Sequence, residues 1–345
     1  MLDNEFNINP DILAWLVEDS NPSVRYYTLI DLLDRSEAEQ EVRDTRVKIM
    51  KDGIVPNILA KQNKSGYWET PEKYYTAKYK GTVWQLIILA ELGADGMDER
   101  IKNACEFILN ISQDKNSGGF SFKSGKAGAL QSSEIPCLTG NMLWSLIRFG
   151  YLNDERVQAG IKWVIKYQRF DDGIENAPAG WPYDQWDMCW GKHSCHMGII
   201  KNLKAFSEIP EGERNDDVKR VLNQAAEFLL KHHIYKRSHD LSRVSKPGWL
   251  RFGFPLMYQT DVLEIMDILM KLGYYDERMQ AAVKLIRSRQ NDDEKWLLSN
   301  TFNGRFQTNI EQKGKPSKWI TLHALRVLKK YHILNKTSVS LKKNL

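Results

Sequence analysis

No run in this 345-residue chain approaches the ~18–20 consecutive apolar residues of a membrane-spanning helix. The N-terminus, MLDNEFNINPD, is acidic and has no apolar core of the kind a secretory leader carries. Cysteine is scarce: four in the whole chain do not make a disulfide framework. Charge of one sign is lacking too. The 49 Lys and Arg and 44 Asp and Glu leave a formal +5, with no basic stripe of the kind a nucleic-acid binder shows. These absences lead us to expect a reduced, cytoplasmic protein with no membrane span and no nucleic-acid partner. Aromatic residues, by contrast, are plentiful: 11 Trp and 14 Tyr, many of them in loops.

An internal repeat organises the rest. Asp98-Glu99-Arg100 opens DERIKNACEFILNISQ, Asp154-Glu155-Arg156 opens DERVQAGIKWVIKYQ, and Asp276-Glu277-Arg278 opens DERMQAAVKLIRSRQ. Each begins with acids, as the helix dipole favours, continues with apolar residues at helical spacing, and reaches a Gln. Asp216-Asp217 opens a fourth copy, and the stretch from Glu39 to Gln62 is a weaker fifth. More apolar helices alternate with these, over 81–93, 137–150, 195–210, 258–273 and 318–331. A helix apolar on nearly every side is buried on nearly every side, and one with a charged face lies outside. Asp11–Glu18 supplies another outer helix. Val24–Leu33 supplies another inner one, capped by Asn21 with Pro22 in its first turn. The expectation is all-α: six inner and six outer helices in one domain over 1–335, with a flexible tail at 336–345. Inner-to-outer links are short. The outer-to-inner links, 116–134, 171–192, 235–255 and 291–317, are long and aromatic, and must share the face where the inner helices begin.

Several outer helices end in Gln and run into loops bearing Gly, an aromatic residue or both. These are Gln62…Gly66…Trp68, Gln113…Gly119-Phe120, Gln168…Gly173 and Gln290…Trp296. They resemble degenerate copies of the Q…G…W motif of squalene and terpenoid cyclases and of protein prenyltransferase β subunits, over roughly residues 10–333. The resemblance implies an α/α toroid with a central aromatic cavity for an isoprenoid or other apolar ligand. For the prenyltransferases it also implies zinc and a helical partner subunit. The D-x-D-D acid motif of class II cyclases is not matched by Phe170-Asp171-Asp172 or by Asn291–Glu294. The Asp-x-Cys zinc pair of the prenyltransferases is matched by Asp187-Met188-Cys189, with His323 placed to stand for their distant histidine.

Residues 187–198, DMCWGKHSCHMG, concentrate side chains that bind transition metals. Cys137 and Cys195 each begin an inner helix in the frame Cys-x-x-Gly, and equivalent positions on successive inner helices of a toroid are neighbours. This gathers Cys137, Cys189, His193 and Cys195 into a candidate zinc set. Core thiols and redox-active thiols are the competing readings. Asp261 and Glu264, one turn apart on an apolar helix, are candidate catalytic groups together with His323. A buried carboxyl serves as a proton donor, or else as half of an ion pair with a neighbouring helix. Trp84, Asn141, Trp181, Trp186, Trp249, Arg251 and Phe254 are the candidate ligand-binding residues, in a cavity opening on the long-loop face. The leading expectation is a cyclase- or prenyltransferase-like toroid holding an isoprenoid. The alternatives are a non-catalytic module for a lipid or peptide end, and a glycan-active enzyme with paired carboxylates and aromatic platforms.

Overall fold

The computed structural model describes residues 6–343 apart from 174–175, 258 and 303, with side chains up to Thr337. In chain order the helices are α1 (Pro10–Leu16), α2 (Pro22–Tyr27, continued by a π-helical turn, Thr28–Leu32), α3 (Gln40–Lys51), α4 (Ile54–Leu59), α5 (Thr82–Glu91), α6 (Glu99–Ile111) and α7 (Pro136–Arg148). They continue as α8 (Glu155–Tyr167), the single turn α9 (Asp187–Trp190), α10 (His196–Ser207), α11 (Asp216–Lys231), α12 (Val262–Lys271), α13 (Gln280–Ser288) and α14 (Lys318–Lys343). Sheet among the described residues is confined to two antiparallel hairpins, β1 (Ser124–Gly125) with β2 (Gly128–Ala129), and β3 (Lys236–Arg237) with β4 (Asp240–Val244).

Burial separates two kinds of helix. α5, α7, α10 and α12 are buried along nearly their whole length. They pack in succession, α5 on α7, α7 on α10, α10 on α12 and α12 on α14, and α14 returns to α2 and its π-helical turn. α3, α6, α8, α11 and α13 each bury one apolar face, against α2, α5, α7, α10 and α12 respectively. α1 packs on α14. The expected outer segment 39–62 is broken at Gly53 (φ +80°) into α3 and α4. α14 stays helical to Lys343, through most of the segment expected as a tail; 344–345 lie outside the described residues.

Helix ends follow their local chemistry. Asn21 accepts a bond from the Val24 amide at 3.2 Å, with Pro22 at the first helical position. Asp98, Asp154 and Asp276 each accept from the amide of the Arg two residues on at 2.8 Å. Arg156 also reaches Glu106 on α6, and Arg278 reaches Glu227 on α11, so neighbouring outer helices are bridged. Gly93, Gly150 and Gly273 take φ of +75°, +90° and +79° and end α5, α7 and α12.

The Gln–Gly–aromatic repeat locks one outer helix to the next at two places. Gln62 Nε2 donates to the Arg100 carbonyl at 2.8 Å, and Gln113 Nε2 to the Arg156 carbonyl at 2.6 Å. Gly66 and Gly118 follow with φ of +89° and +87°. A Cβ on either would come within 2.2 or 2.5 Å of a backbone oxygen of the next outer helix, so no larger residue fits. Trp68 and Trp296 are fully buried and donate to the carbonyls of Ile58 and Ile286 at 2.9 and 2.7 Å. The hydroxyls of Thr82, Thr139 and Thr321, in the first turns of α5, α7 and α14, accept from the amides of Trp68, Phe120 and Trp296 at 3.1, 3.0 and 3.1 Å. The copy at Gln168 departs from this pattern: its Oε1 accepts from Asn202 Nδ2 of α10 at 2.6 Å. The loop that follows it carries α9.

Candidate functional site

A cavity of about 670 Å³ lies among the buried helices. Glu91 of α5, Arg148 of α7, Ser207 of α10 and Lys271 of α12 line it, all at the ends where the chain leaves those helices. It reaches inward to Glu264, Phe254 and Trp319, near the starts of α12 and α14. The cavity is thus open at the short-link end, not at the long-loop face where it was expected. Its lining differs from expectation as well. Seven acidic and seven basic side chains border it, which makes it a charged space rather than an aromatic one.

The charges form a belt across the buried helices. Lys201 Nζ, fully buried, lies 2.8 and 2.7 Å from the two Glu264 oxygens. Lys204 Nζ lies 2.9 Å from Glu264 and also pairs with Glu91. Glu208 receives Lys271 at 2.6 Å, the Trp144 indole at 3.1 Å and, more loosely, Arg148 at 3.6 Å. Arg148 continues to the Tyr27 hydroxyl. Arg326 joins Asp31 at 2.6 Å to Asp267. Burial alone would raise the two glutamates, but Lys201 and Lys204 hold Glu264 at about 2, and Arg148 and Lys271 hold Glu208 at about 2. Neither is a proton donor near neutrality. Burial lowers Lys201, with Glu264 opposing it.

The expected catalytic set is divided. Asp261 does not share a helix face with Glu264, because α12 begins one residue later, at Val262. It is the N-cap: its carboxylate accepts from the amides of Glu264 and Gly253, both at 2.9 Å, and burial raises it to about 7 in spite of those bonds. Glu264 and His323 do line the cavity. Burial drives His323 well below its ordinary value, with Arg326 and Lys204 adding to the shift, so its imidazole is neutral. Phe254 and Trp319 lie face to face with centroids 4.2 Å apart and an interplanar angle of 9°, and both present an edge-on contact to His323.

Of the expected ligand-binding residues, only Phe254 borders this cavity. Trp84 is buried between Tyr75 and Tyr79 and donates to the Tyr75 carbonyl at 2.9 Å. Trp181 and Trp186 donate to the carbonyls of Gln131 and Ser132 at 3.1 and 2.7 Å, pinning one long loop to another. Trp249 is buried beside His196, Asn141 is buried on α7, and Arg251 is exposed. Sequence reasoning passed over Glu91, Arg148, Lys204, Glu208, Asp267, Lys271 and Arg326. Part of the signal was present: α5, α7 and α12 end with a charged residue and Glu208 directly follows α10, which look like solvated termini until the ends converge.

Three thiols gather at the opposite end. Cys137 is the second residue of α7, and Cys195 caps α10. Gly198 lies against the Pro136 ring, where a Cβ would come within 2.8 Å. Gly140 lies against Lys201 and Asn202, where a Cβ would come within 2.6 Å. The two Cys-x-x-Gly frames therefore face each other. Cys189, on α9, donates its thiol hydrogen to the Cys195 sulfur. That bond, with the amides of Gly198 and Met197, lowers Cys195 below an ordinary thiol, whereas burial pushes Cys137 up to about 12. His193 is exposed, and its ring packs beside Gly173, where a Cβ would meet it at 2.1 Å. Among the described residues no group of three or more His, Cys, Asp and Glu is placed to hold a metal ion. Cys137, Cys189, His193 and Cys195 do not come together as four ligands.

No protein-family model matches the chain, and no curated protein matches it. Solved structures do. A type II terpene cyclase from Scytonema is similar at 11% identity and a TM-score of 0.43, covering 92% of this chain and 88% of that one. A possible member of glycoside hydrolase family 105 from Salmonella enterica is similar at 13% identity and a TM-score of 0.49, covering 96% of each chain. A sugar epimerase from a ruminal bacterium is similar at 14% identity and a TM-score of 0.42, covering 72% of each.

Proposed function

We propose that the chain is a closed toroid of six inner helices (α2, α5, α7, α10, α12, α14) and six outer helices (α1, α3, α6, α8, α11, α13). We further propose that it acts as an enzyme on a small polyhydroxylated substrate, a sugar or sugar acid, by moving a proton at a carbon beside a carbonyl. The observation that carries the second part is a neutral imidazole, His323, in a cavity bordered by charge. A hydrocarbon would strip water from those charged groups and return no hydrogen bonds. A polyol returns them. The isoprenoid occupant expected from the sequence loses support on that count.

The volume falls within the usual range for small-molecule sites. Glycoside hydrolysis through paired carboxyls calls for one that stays protonated, whereas Glu264 and Glu208 are held ionised. A neutral imidazole has a lone pair to accept a proton; burial and the charges of Arg326 and Lys204 weaken it as a base, and the negative charge that gathers on the substrate oxygen, which those same two residues stabilise, offsets this as the proton moves. The test is proton exchange. Aldoses, ketoses and hexuronates are incubated with the protein in deuterated water and followed by proton NMR. The expected result is loss of the signal next to the carbonyl for at least one sugar, slowed about 100-fold or more in His323→Asn of unchanged melting temperature. No exchange with any sugar, exchange that survives in His323→Asn, or thermal stabilisation by polyprenyl diphosphates alone would each overturn the proposal.

A further inference from the structure

The thiol cluster lies at the other end of the buried helices and takes no part in the proton transfer just described. We propose that Cys189 and Cys195 are a peroxide-reactive dithiol, with Cys195 the attacking sulfur and Cys189 the resolving one. Three placements carry this. Cys189 and Cys195 are partly exposed, whereas Cys105 and Cys137 are buried, so only the first two are open to a small oxidant. The Cys189 thiol is hydrogen-bonded to the Cys195 sulfur, and Cys195 is the N-cap residue of α10, so its sulfur stands beside the amides of Met197 and Gly198, which favour its thiolate. The segment bearing Cys189 is held in place. Arg169 donates to the carbonyls of Trp190 and Gly191 at 2.9 and 3.0 Å, and the buried Trp190 ring packs edge-on against Trp163 and Tyr183.

The chemistry balances. The Cys195 thiolate attacks one oxygen of hydrogen peroxide; an S–O bond forms, the O–O bond breaks, and hydroxide leaves to take up a proton. The Cys189 sulfur then attacks the sulfenic sulfur; the S–S bond forms and the oxygen leaves as water with the Cys189 proton. Two thiols and one peroxide give one disulfide and two waters. The disulfide closes a short ring through Gly191 and ties α9 to the start of α10.

Trypsin cleaves after Lys192 and so separates the two cysteines into peptides 170–192 and 193–201. After one equivalent of peroxide on the full chain, mass spectrometry should find these peptides joined, and dithiothreitol should release them. Cys189→Ser should leave a dimedone-reactive sulfenic acid at Cys195; Cys195→Ser should abolish oxidation of Cys189; Cys137→Ser should change neither result. Wild-type protein gives a check independent of how the variants fold: iodoacetamide at pH 7 should label Cys195 about tenfold faster than any other cysteine. Labelling of Cys105 or Cys137 as fast as Cys195, or peroxide treatment that leaves the two peptides unlinked, would overturn the assignment.

Discussion

The two ends of the buried helices are held in opposite ways. Where the chain enters them, neutral hydrogen bonds to backbone dominate, repeated with the same residue types. Gln62 and Gln113 tie one outer helix to the next, Trp68 and Trp296 donate back to the preceding helices α4 and α13, and Thr82, Thr139 and Thr321 receive the loops. Where the chain leaves them, side-chain ion pairs far apart in sequence do the joining, and they surround a cavity. A backbone lock is satisfied in itself and leaves nothing to offer a ligand. A belt of side-chain charges has lone pairs and N–H groups to spare. The difference supports the reading of one end as scaffold and of the other as the proposed place for a polar molecule.

The most severe way to break this contrast is to remove the carboxylate that two lysines share. Glu264→Gln leaves Lys201, fully buried, facing an amide. Loss of one partner of a buried pair costs about 3–5 kcal/mol, and urea denaturation should show a loss of that size. Adding Lys201→Met should recover a large part of it, because the uncompensated charge is then gone and Lys204 keeps Glu91. A double variant as unstable as the single one would mean that the belt is held by packing rather than by charge balance.

A smaller effect tests the scaffold end. Gly118 and Gly150 both have positive φ, +87° and +90°, but a Cβ on Gly118 would sit 2.5 Å from the Ala159 carbonyl oxygen, whereas one on Gly150 would meet nothing within 4 Å. Gly150→Ala should therefore show only the conformational cost, about 1 kcal/mol. Gly118→Ala should cost clearly more, about 2–3 kcal/mol, since a backbone contact between outer helices has to open. Equal costs at the two sites would show that the Gln–Gly lock is loose.

These same two ends explain what was legible in the sequence. The Asp-x-Arg starts, the Gln and Gly positions and the alternation of apolar and one-faced helices are local signals repeated along the chain, and they announced most of the helices and their order, but not the break at Gly53, the start of α12 at Val262 or the run of α14 to Lys343. Asp261 was misjudged because the apolar run appears to begin at Tyr258, whereas the carboxylate caps a helix that begins at Val262. The belt was missed for a different reason. Glu91, Lys204 and Glu264 lie on three helices and become neighbours only once those helices are side by side, so no window of sequence contains them together. Trp181 and Trp186 were given to a cavity because aromatic loops suggest ligands; their indole N–H groups are instead taken up by the Gln131 and Ser132 carbonyls of another loop.

The smallest effect expected is a pH dependence at the scaffold end, through His196. Its ring stands among Phe228, His232 and Trp249, with centroids at 5.0, 4.8 and 5.6 Å, and its Nε2 is buried with no hydrogen-bond partner among the described residues. Burial moves it from 6.5 to about 3; His232, Lys246 and His193 push the same way, and Asp172 opposes them. With the folded value below the unfolded one, the unfolded chain takes up a proton as pH falls through 6.5 and the folded chain does not. Stability should therefore fall with pH over that window, by about 1 kcal/mol between pH 7 and 5.5. Asp261 acts in the reverse sense: raised to about 7, it adds stability as pH falls from 7 toward 4. The two partly cancel in the wild-type protein, so the informative quantity is the difference between wild type and His196→Phe. Asp261 and the depressed His323 remain in both proteins and drop out of that difference. Urea midpoints taken at intervals from pH 7 to 5.5 should show the variant gaining on the wild type by about 1 kcal/mol as pH falls. A difference that stays constant with pH would mean that His196 charges freely in the folded protein, and that this end of the helices is open to water.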